Sequence, residues 1–319
     1  MINKKKFRPD PSTGFGSRGH DTGNRFYRKD GSVNVIRRGV SFLNQVSWYH
    51  TMLALPRWKF WVALFVIYII IYIVFAIIYY LVGIEHLTGI HKGSALNNFM
   101  EVFFFSAQTF TTVGYGRISP VGFLASVVAT FEAFLGLLGF ALASGLFFGR
   151  FAMPRSYLWF SDIALLSPYK DLKALMFRTV SYKKNHLTDA EVKLTLGIRV
   201  KQGDGEIRNE FYPLKVELEK VVALVLNWTI VHPINEESPL WGLSLEQLKE
   251  SNAEVLVFLK AYDEVFANHV VARTSYSAVE FIDNAKFKPT FRPSSSGKAT
   301  ILNVDQINEF IHGPIFFKN

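Results

Sequence analysis

Thr111-Thr112-Val113-Gly114-Tyr115-Gly116 lies between two long apolar segments and directly after a shorter apolar stretch that reads as a helix. As a bare hexapeptide it would fit a strand end followed by a glycine turn. Its position argues otherwise, because irregular backbone at membrane depth persists only inside protein or beside water. Threonine hydroxyls and the carbonyls of a Val-Gly-Tyr-Gly backbone can replace the water around a dehydrated K⁺ ion. The glycines tolerate φ values that turn those carbonyls to one side. One chain supplies a quarter of such a ring, so the motif implies four subunits about a common axis.

The flanks fit that placement. Phe60 to Val82 is an uncharged apolar and tyrosine run, long enough to span about 30 Å of hydrocarbon. Phe123 to Phe151 is a second span. Between them, Gly83 to Asn98 is polar; its His86 and His91 lack the spacing and carboxylates of a metal pair. Asn97 or Asn98 is the expected cap of a re-entrant helix running to about Phe110, with Gln108 placed to bond the filter backbone through its amide. Glu132 is ionisable inside the second span, and such acids face the bundle interior, so it is a candidate filter support. Gly136 and Gly145 are candidate hinges. Phe140, Ser144 and Phe148 recur every four residues. If that face lines the path, Phe148 can close it by dewetting.

The 319 residues suggest about two domains. There is no cysteine, which excludes disulfides and thiolate metal sites. Residues 1–40 hold ten Lys/Arg against three Asp, and residues 156–319 hold nineteen against twenty acids. The basic excess just before the first span places the N-terminus, and after two spans the C-terminus too, in the cytoplasm. Aromatic residues are too sparse in this basic tail to indicate nucleic-acid binding. Ser41 to Leu55 reads as an amphipathic helix along the membrane surface, with Phe42, Val46, Tyr49 and Leu53 near one face and Pro56 ending it. Arg57, Lys59, Arg150 and Arg155 mark the inner headgroup level.

From Ser156 onward the pattern changes. Leu175 to Val180, Glu191 to Val200, Val221 to Val231, Val255 to Leu259 and His269 to Tyr276 are β-rich runs separated by turns such as Gly203-Asp204-Gly205, the pattern of an antiparallel sandwich. Ser244 to Ser251 reads as one capped helix. The division expected is a basic tail (1–40), a pore unit with its interfacial helix (41–155) and a β-sandwich (156–319). No nucleotide loop, nucleophile–base pair or metal cluster is visible, and no arginine ladder reads as a voltage sensor, so enzyme classes are disfavoured.

Two spans, a re-entrant filter and a C-terminal β-sandwich together resemble the inward-rectifier potassium channels. The run at 103–116 and Gly149-Arg150-Phe151-Ala152-Met153-Pro154 look like the prokaryotic, KirBac-type branch; Trp228 to Leu240 and Arg273-Thr274-Ser275-Tyr276 match further family signatures. The resemblance implies a homotetramer in the inner membrane, without a cofactor, holding K⁺ at the filter and regulated by anionic phospholipids or phosphoinositides. It makes Phe148 the helix-bundle gate and Glu264 and Arg273 an ion pair bracing a gate loop around Ala267 and Asn268. It makes the interfacial helix, with Arg57, Lys59, Arg150, Arg155 and Lys170, the anionic-lipid region. Mg²⁺, polyamines and Ba²⁺ are the implied blockers. Phe140 stands where strong rectifiers carry an acid, Lys260 where they carry a second, and Asp189 matches a third, which implies weak rectification. Gln108 replaces the family's pore-helix Glu. The alternatives are a ligand-gated two-span K⁺ channel, which needs a nucleotide or Ca²⁺ module, and a non-conducting membrane sensor, which needs no tetramer.

Overall fold

The structure is a computed structural model that describes residues 9, 10, 14, 25–36, 38, 39, 41, 47–91, 93–201 and 207–313. Lys4-Lys5-Lys6, Phe42 and Val46 of the expected interfacial helix, and the Gly203-Asp204-Gly205 turn lie outside the described residues. The chain divides into two compact units, Arg38–Met153 and Met1–Arg37 with Pro154–Asn319.

The first unit is helical. α1 (Trp48–Ala54) starts at Ser47, whose hydroxyl accepts from the His50 N–H, and stops at extended Leu55 because proline follows. α2 (Arg57–Val82) begins directly after Pro56 and includes Arg57 and Lys59, three residues earlier than the uncharged run. α3 (Ala95–Phe110) is capped by Ser94, which accepts from the Asn97 N–H, so the cap lies before the two expected asparagines. Asn98 instead turns back to accept from the Gly93 N–H at 2.8 Å. α4 (Phe123–Phe151) coincides with the expected second span. α2 and α4 are both long and apolar enough to cross a membrane, whereas α3 has 16 residues, about 24 Å of rise. A short antiparallel pair, β1 (Leu87–Thr88) with β2 (Ser119–Pro120), ties the two loops that flank α3.

Aromatic residues seat α3 between α2 and α4. Tyr68 and Tyr72 of α2 meet the Phe110 ring edge-on at 5.4 and 5.8 Å, and Tyr79 meets Phe105 at 5.1 Å. Phe75, Ala76, Tyr79, Val102 and Phe105 form the buried core of this unit.

The second unit is a sandwich of two five-stranded sheets. One holds β6 (Leu187–Lys201), β7 (Ile207–Leu214), β10 (Glu254–Asp263) and β11 (Asn268–Ser277) in the order β11-β10-β6-β7, with β8 (Lys220–Ala223) also on β6. The other holds β3 (Leu158–Phe160), β4 (Ala164–Tyr169), β5 (Leu172–Ser181) and β12 (Phe281–Asp283) in the order β12-β4-β5-β3, with β9 (Trp228–Ile234) also on β5. All pairings are antiparallel except β12 with β4. Strict alternation fixes the register: in β9 Trp228, Ile230, His232 and Ile234 point inward and the residues between them do not. The run expected as one strand over 221–231 is two strands, because Leu224 to Asn227 leave the ladder and Asn227 accepts from the Thr290 hydroxyl at 2.9 Å. α5 (Leu245–Glu250) carries a complete capping box between Ser244 and Gln247.

Residues 25–34, expected as part of the basic tail, are pinned to this sandwich. Arg25 forms a two-pronged contact with Glu280 at 3.1 Å, and the Ser275 hydroxyl donates to the Tyr27 carbonyl at 2.8 Å. The Phe26 and Tyr27 N–H groups donate to the buried Glu254 carboxylate at 2.7 and 3.3 Å. Burial pushes that carboxyl above its ordinary range, against the pull of these donors.

Candidate functional site

The 111–116 segment leaves the C-terminal end of α3 in an unusual conformation. Thr112, Gly114 and Gly116 have φ of +59, +52 and +80°, and Val113 and Tyr115 between them keep negative φ. In an extended strand successive carbonyls point to opposite sides. Reversing the sign of φ at every second residue turns each peptide back, so the carbonyls stack along one side. Carbonyls so aligned are the kind of lining that can stand in for the hydration water of a cation. Thr112 adopts a left-handed conformation without being glycine, a strain that persists only where the surroundings impose it.

The surroundings are specific. The Val113 and Gly114 N–H groups both donate to the Gln108 main-chain carbonyl, at 2.9 and 3.3 Å. Gln108 therefore anchors this segment through its main-chain carbonyl rather than through the side-chain amide. Thr111 Oγ1 donates to the Ala107 carbonyl at 2.7 Å, which closes the base of the hairpin onto α3.

α3 is held in turn by Glu132. Its two carboxyl oxygens accept from Tyr79 Oη of α2 at 2.7 Å and Ser106 Oγ of α3 at 2.5 Å, and Glu132 and Ser106 are completely buried. One acid of α4 thus joins three helices two residues from Gln108. A buried carboxylate this costly needs both hydroxyl donors. Sequence reasoning found Glu132 but not Tyr79 or Ser106, which read as ordinary residues of apolar runs.

Gly136 and Gly145 differ. α4 runs unbroken through both. A Cβ on Gly136 would overlap the Phe110 carbonyl, so this glycine permits close approach of α4 to the end of α3 rather than bending. Gly145 has nothing within 4 Å of where its Cβ would stand. Just beyond Gly116, Arg117 pairs with Glu101 at 2.5 Å and also donates to the Gly89 carbonyl at 3.3 Å, a brace that Gln108 does not supply.

At the opposite end of α4, Phe147 packs on Phe60 and Trp61, at 5.2 and 4.8 Å between ring centroids. Phe148, one residue on and about 100° round the helix, is 77% exposed, as is Phe140 at 69%. The sequence places Arg150 among the headgroups with Arg57, Lys59 and Arg155. Those three are exposed, whereas Arg150 is half-buried and turned inward: it donates to the carbonyls of Met52, Leu53 and Leu55 at 3.4, 3.1 and 2.6 Å. The loose carbonyls exist because Pro56 stops α1 there. This corrects the assignment of Arg150 as a lipid contact.

In the sandwich, the β10–β11 hairpin turns over Glu264 to Ala267. The buried Asp263 carboxylate accepts from the Val265 and Phe266 N–H groups at 2.9 and 3.2 Å and from Asn185 Nδ2 at 3.1 Å, and Ala267 sits at φ +47°. Glu264 and Arg273 are not brought together within one chain. The register places Arg273 opposite Phe258, with its guanidinium 5.4 Å from that ring, five residues along the strand from the Asp263–Asn268 pair. Asp263 and Asn185 brace the turn instead. Asp189 faces Lys220 at 3.1 Å, and Lys260 lies opposite Glu191. Lys170 is engaged by Glu217 at 2.6 Å. Among the described residues no group of three or more His, Asp or Glu is placed to hold a metal.

Residues 158–312 match the family described as "Inward rectifier potassium channel C-terminal domain", and residues 67–152 match the one described as "Ion channel". The chain is similar to the inward rectifier potassium channel Kirbac3.1 of Paramagnetospirillum magnetotacticum, 31% identical over 282 residues that span 87% of this chain and 92% of that one. It is similar to G protein-activated inward rectifier potassium channel 2 of Homo sapiens, 29% identical over 83% of this chain and 67% of that one. It is also similar to ATP-sensitive inward rectifier potassium channel 12 of Gallus gallus, 27% identical over the same shares. Among solved structures, the sporulation control protein Spo0M of Bacillus subtilis matches at a TM-score of only 0.22, with 7% identity over 39% of this chain and 49% of that one.

Proposed function

The chain belongs to the inward rectifier potassium channel family, and from that premise we propose that four copies form a K⁺-selective, weakly rectifying pore in the inner membrane, with both termini in the cytoplasm. The supporting observation is the alternation of φ through 112–116, which lines carbonyls along one side of a segment that stands exposed on a single chain. Gln108, Glu132, Tyr79 and Ser106 hold that segment in place. Phe148 is the closing ring at the inner end of α4, and the turn around Ala267 is a second constriction. Arg57, Lys59 and Arg155 are the basic contacts for anionic lipid. Purified protein in liposomes should be tetrameric and should take up K⁺ and Rb⁺ but not Na⁺, with Ba²⁺ blocking. Equal Na⁺ uptake would overturn the reading.

Phe148→Ala should raise basal Rb⁺ flux severalfold, since a smaller apolar ring wets more readily. Unchanged flux would remove Phe148 from the gate. Spermine should block only shallowly with voltage. Phe140 offers no charge to a polyamine, and Asp189 already has an ammonium 3.1 Å away in Lys220. Phe140→Asp should confer steep block; steep block in the parent channel would refute this part.

A further inference from the structure

We propose that the segment His86 to Gly89 is a positioning element for ion selection: it anchors the end of 111–116 that lies away from α3, and so decides whether the carbonyl column survives when K⁺ is scarce. The inference rests on the reading of 111–116 as the K⁺ filter. That segment is held at its start, where Val113 and Gly114 donate to the Gln108 carbonyl. Beyond them, among the described residues of one chain, neither Tyr115 nor Gly116 makes a hydrogen bond, and nothing lies within 4 Å of a Cβ placed on Gly116. Carbonyl oxygens aligned along one side repel one another, and a cation between them offsets the repulsion. Once the ions leave, Gly116, at φ +80°, is free to return to negative φ and turn a carbonyl out of the column. What resists that turn is the anchor that follows.

The anchor comes from the loop ahead of α3. Leu87 of β1 and Ile118 are buried in the same core, with Val102 and Phe105 of α3. Thr88 Oγ1 donates to the Ser119 carbonyl at 3.2 Å, and the Val121 N–H donates to the His86 carbonyl at 2.7 Å. Gly89 closes directly on Arg117, the residue after Gly116. The Arg117 guanidinium donates to the Gly89 carbonyl at 3.3 Å, and a Cβ on Gly89 would stand 1.8 Å from the Arg117 carbonyl oxygen. Residue 89 also sits at φ +85°, so glycine is required there twice over. Arg117 is thus gripped by its main chain at Gly89 and by its side chain at Gly89 and Glu101.

A positioning role and a merely structural one differ in their dependence on K⁺. Full-length protein in liposomes is held either in K⁺ or in N-methyl-D-glucamine on both sides of the membrane, and Rb⁺ uptake is then measured. The parent should take up Rb⁺ equally after either treatment. Gly89→Ala, which drives a methyl group into the Arg117 carbonyl, should lose about tenfold or more of its uptake after the K⁺-free treatment. Glu101→Gln and Thr88→Val, which loosen the anchor without adding bulk, should lose about threefold, in keeping with the modest worth of a partly exposed ion pair. All three should keep the parent's uptake when K⁺ is present throughout. Size exclusion checks the tetramer; if Gly89→Ala does not assemble, the other two variants decide. Variants that recover from K⁺-free medium as the parent does overturn the proposal, and so do variants that lose uptake equally after both treatments. Equal Na⁺ and K⁺ uptake by the parent is a separate outcome: there the filter reading itself fails, and the proposal falls with it.

Discussion

Gly114→Ala is expected to abolish discrimination between K⁺ and Na⁺, or to stop flux altogether, in a protein that still assembles. Gly114 has φ of +52°, where an L-residue pays about 1–2 kcal/mol for crowding between its Cβ and the following carbonyl. A ring of four would pay about 4–8 kcal/mol on that basis, comparable to the whole stability of a small domain. The chain can avoid the cost by returning residue 114 to negative φ, but this turns its carbonyl out of the column. Space is not the obstacle, since nothing lies within 4 Å of a Cβ placed there. A loss of selectivity could therefore not be blamed on a clash within the chain. Thr112 shows that a left-handed non-glycine is tolerated in this segment at one position, where its N–H is fixed by the Thr109 carbonyl at 3.0 Å. The Gly114 N–H has only the longer, shared bond to Gln108 at 3.3 Å, a weaker restraint against the same strain. Measuring Rb⁺ and Na⁺ uptake side by side, with size-exclusion to confirm the tetramer, checks the result. A K⁺/Na⁺ ratio equal to the parent's would mean that the carbonyl column is not the selective element.

What was legible from the sequence was what nearby residues decide. Both spans and the capping box at Ser244 and Gln247 each depend on chemistry within a few positions or on one long composition. The failures are contacts made across long separations. Arg150 follows an apolar run and so reads as a headgroup anchor; its acceptors are freed by Pro56, far back in the chain, and nothing local to Arg150 announces them. Glu264 and Arg273 were linked through the resemblance, and only the hairpin register shows that one chain keeps them apart. Arg25 reads as one more charge in a basic tail, although Glu280, 255 positions away, fixes it in place. Ser94 displaced Asn97 and Asn98 as the cap because three closely spaced polar candidates differ only in where the chain enters the helix.

The two glycines of α4 provide the sharpest test of how packing sets the filter. Gly136→Ala should cut K⁺ flux by an order of magnitude or more and lower thermal stability, whereas Gly145→Ala should leave stability unchanged or raised. The methyl group added at position 136 would meet a backbone carbonyl, that of Phe110, and no rotamer change can move it aside. Overpacking of this kind costs about 1–3 kcal/mol per chain. Relief requires α3 and α4 to separate, and Phe110 is the residue immediately before Thr111, so the displacement reaches the filter directly. It also stretches the bond from Ser106 to Glu132, the anchor on the same helix. Gly145 has no such neighbour, and alanine there gains about 1 kcal/mol in helix propensity. Any effect of Gly145→Ala would then be on opening, through a stiffer α4, and would appear in flux without a loss of melting temperature or a change in K⁺/Na⁺ ratio. If Gly136→Ala were as stable and as active as the parent, the close approach of α4 to Phe110 would not constrain the filter, and Glu132 would be left as the support to examine.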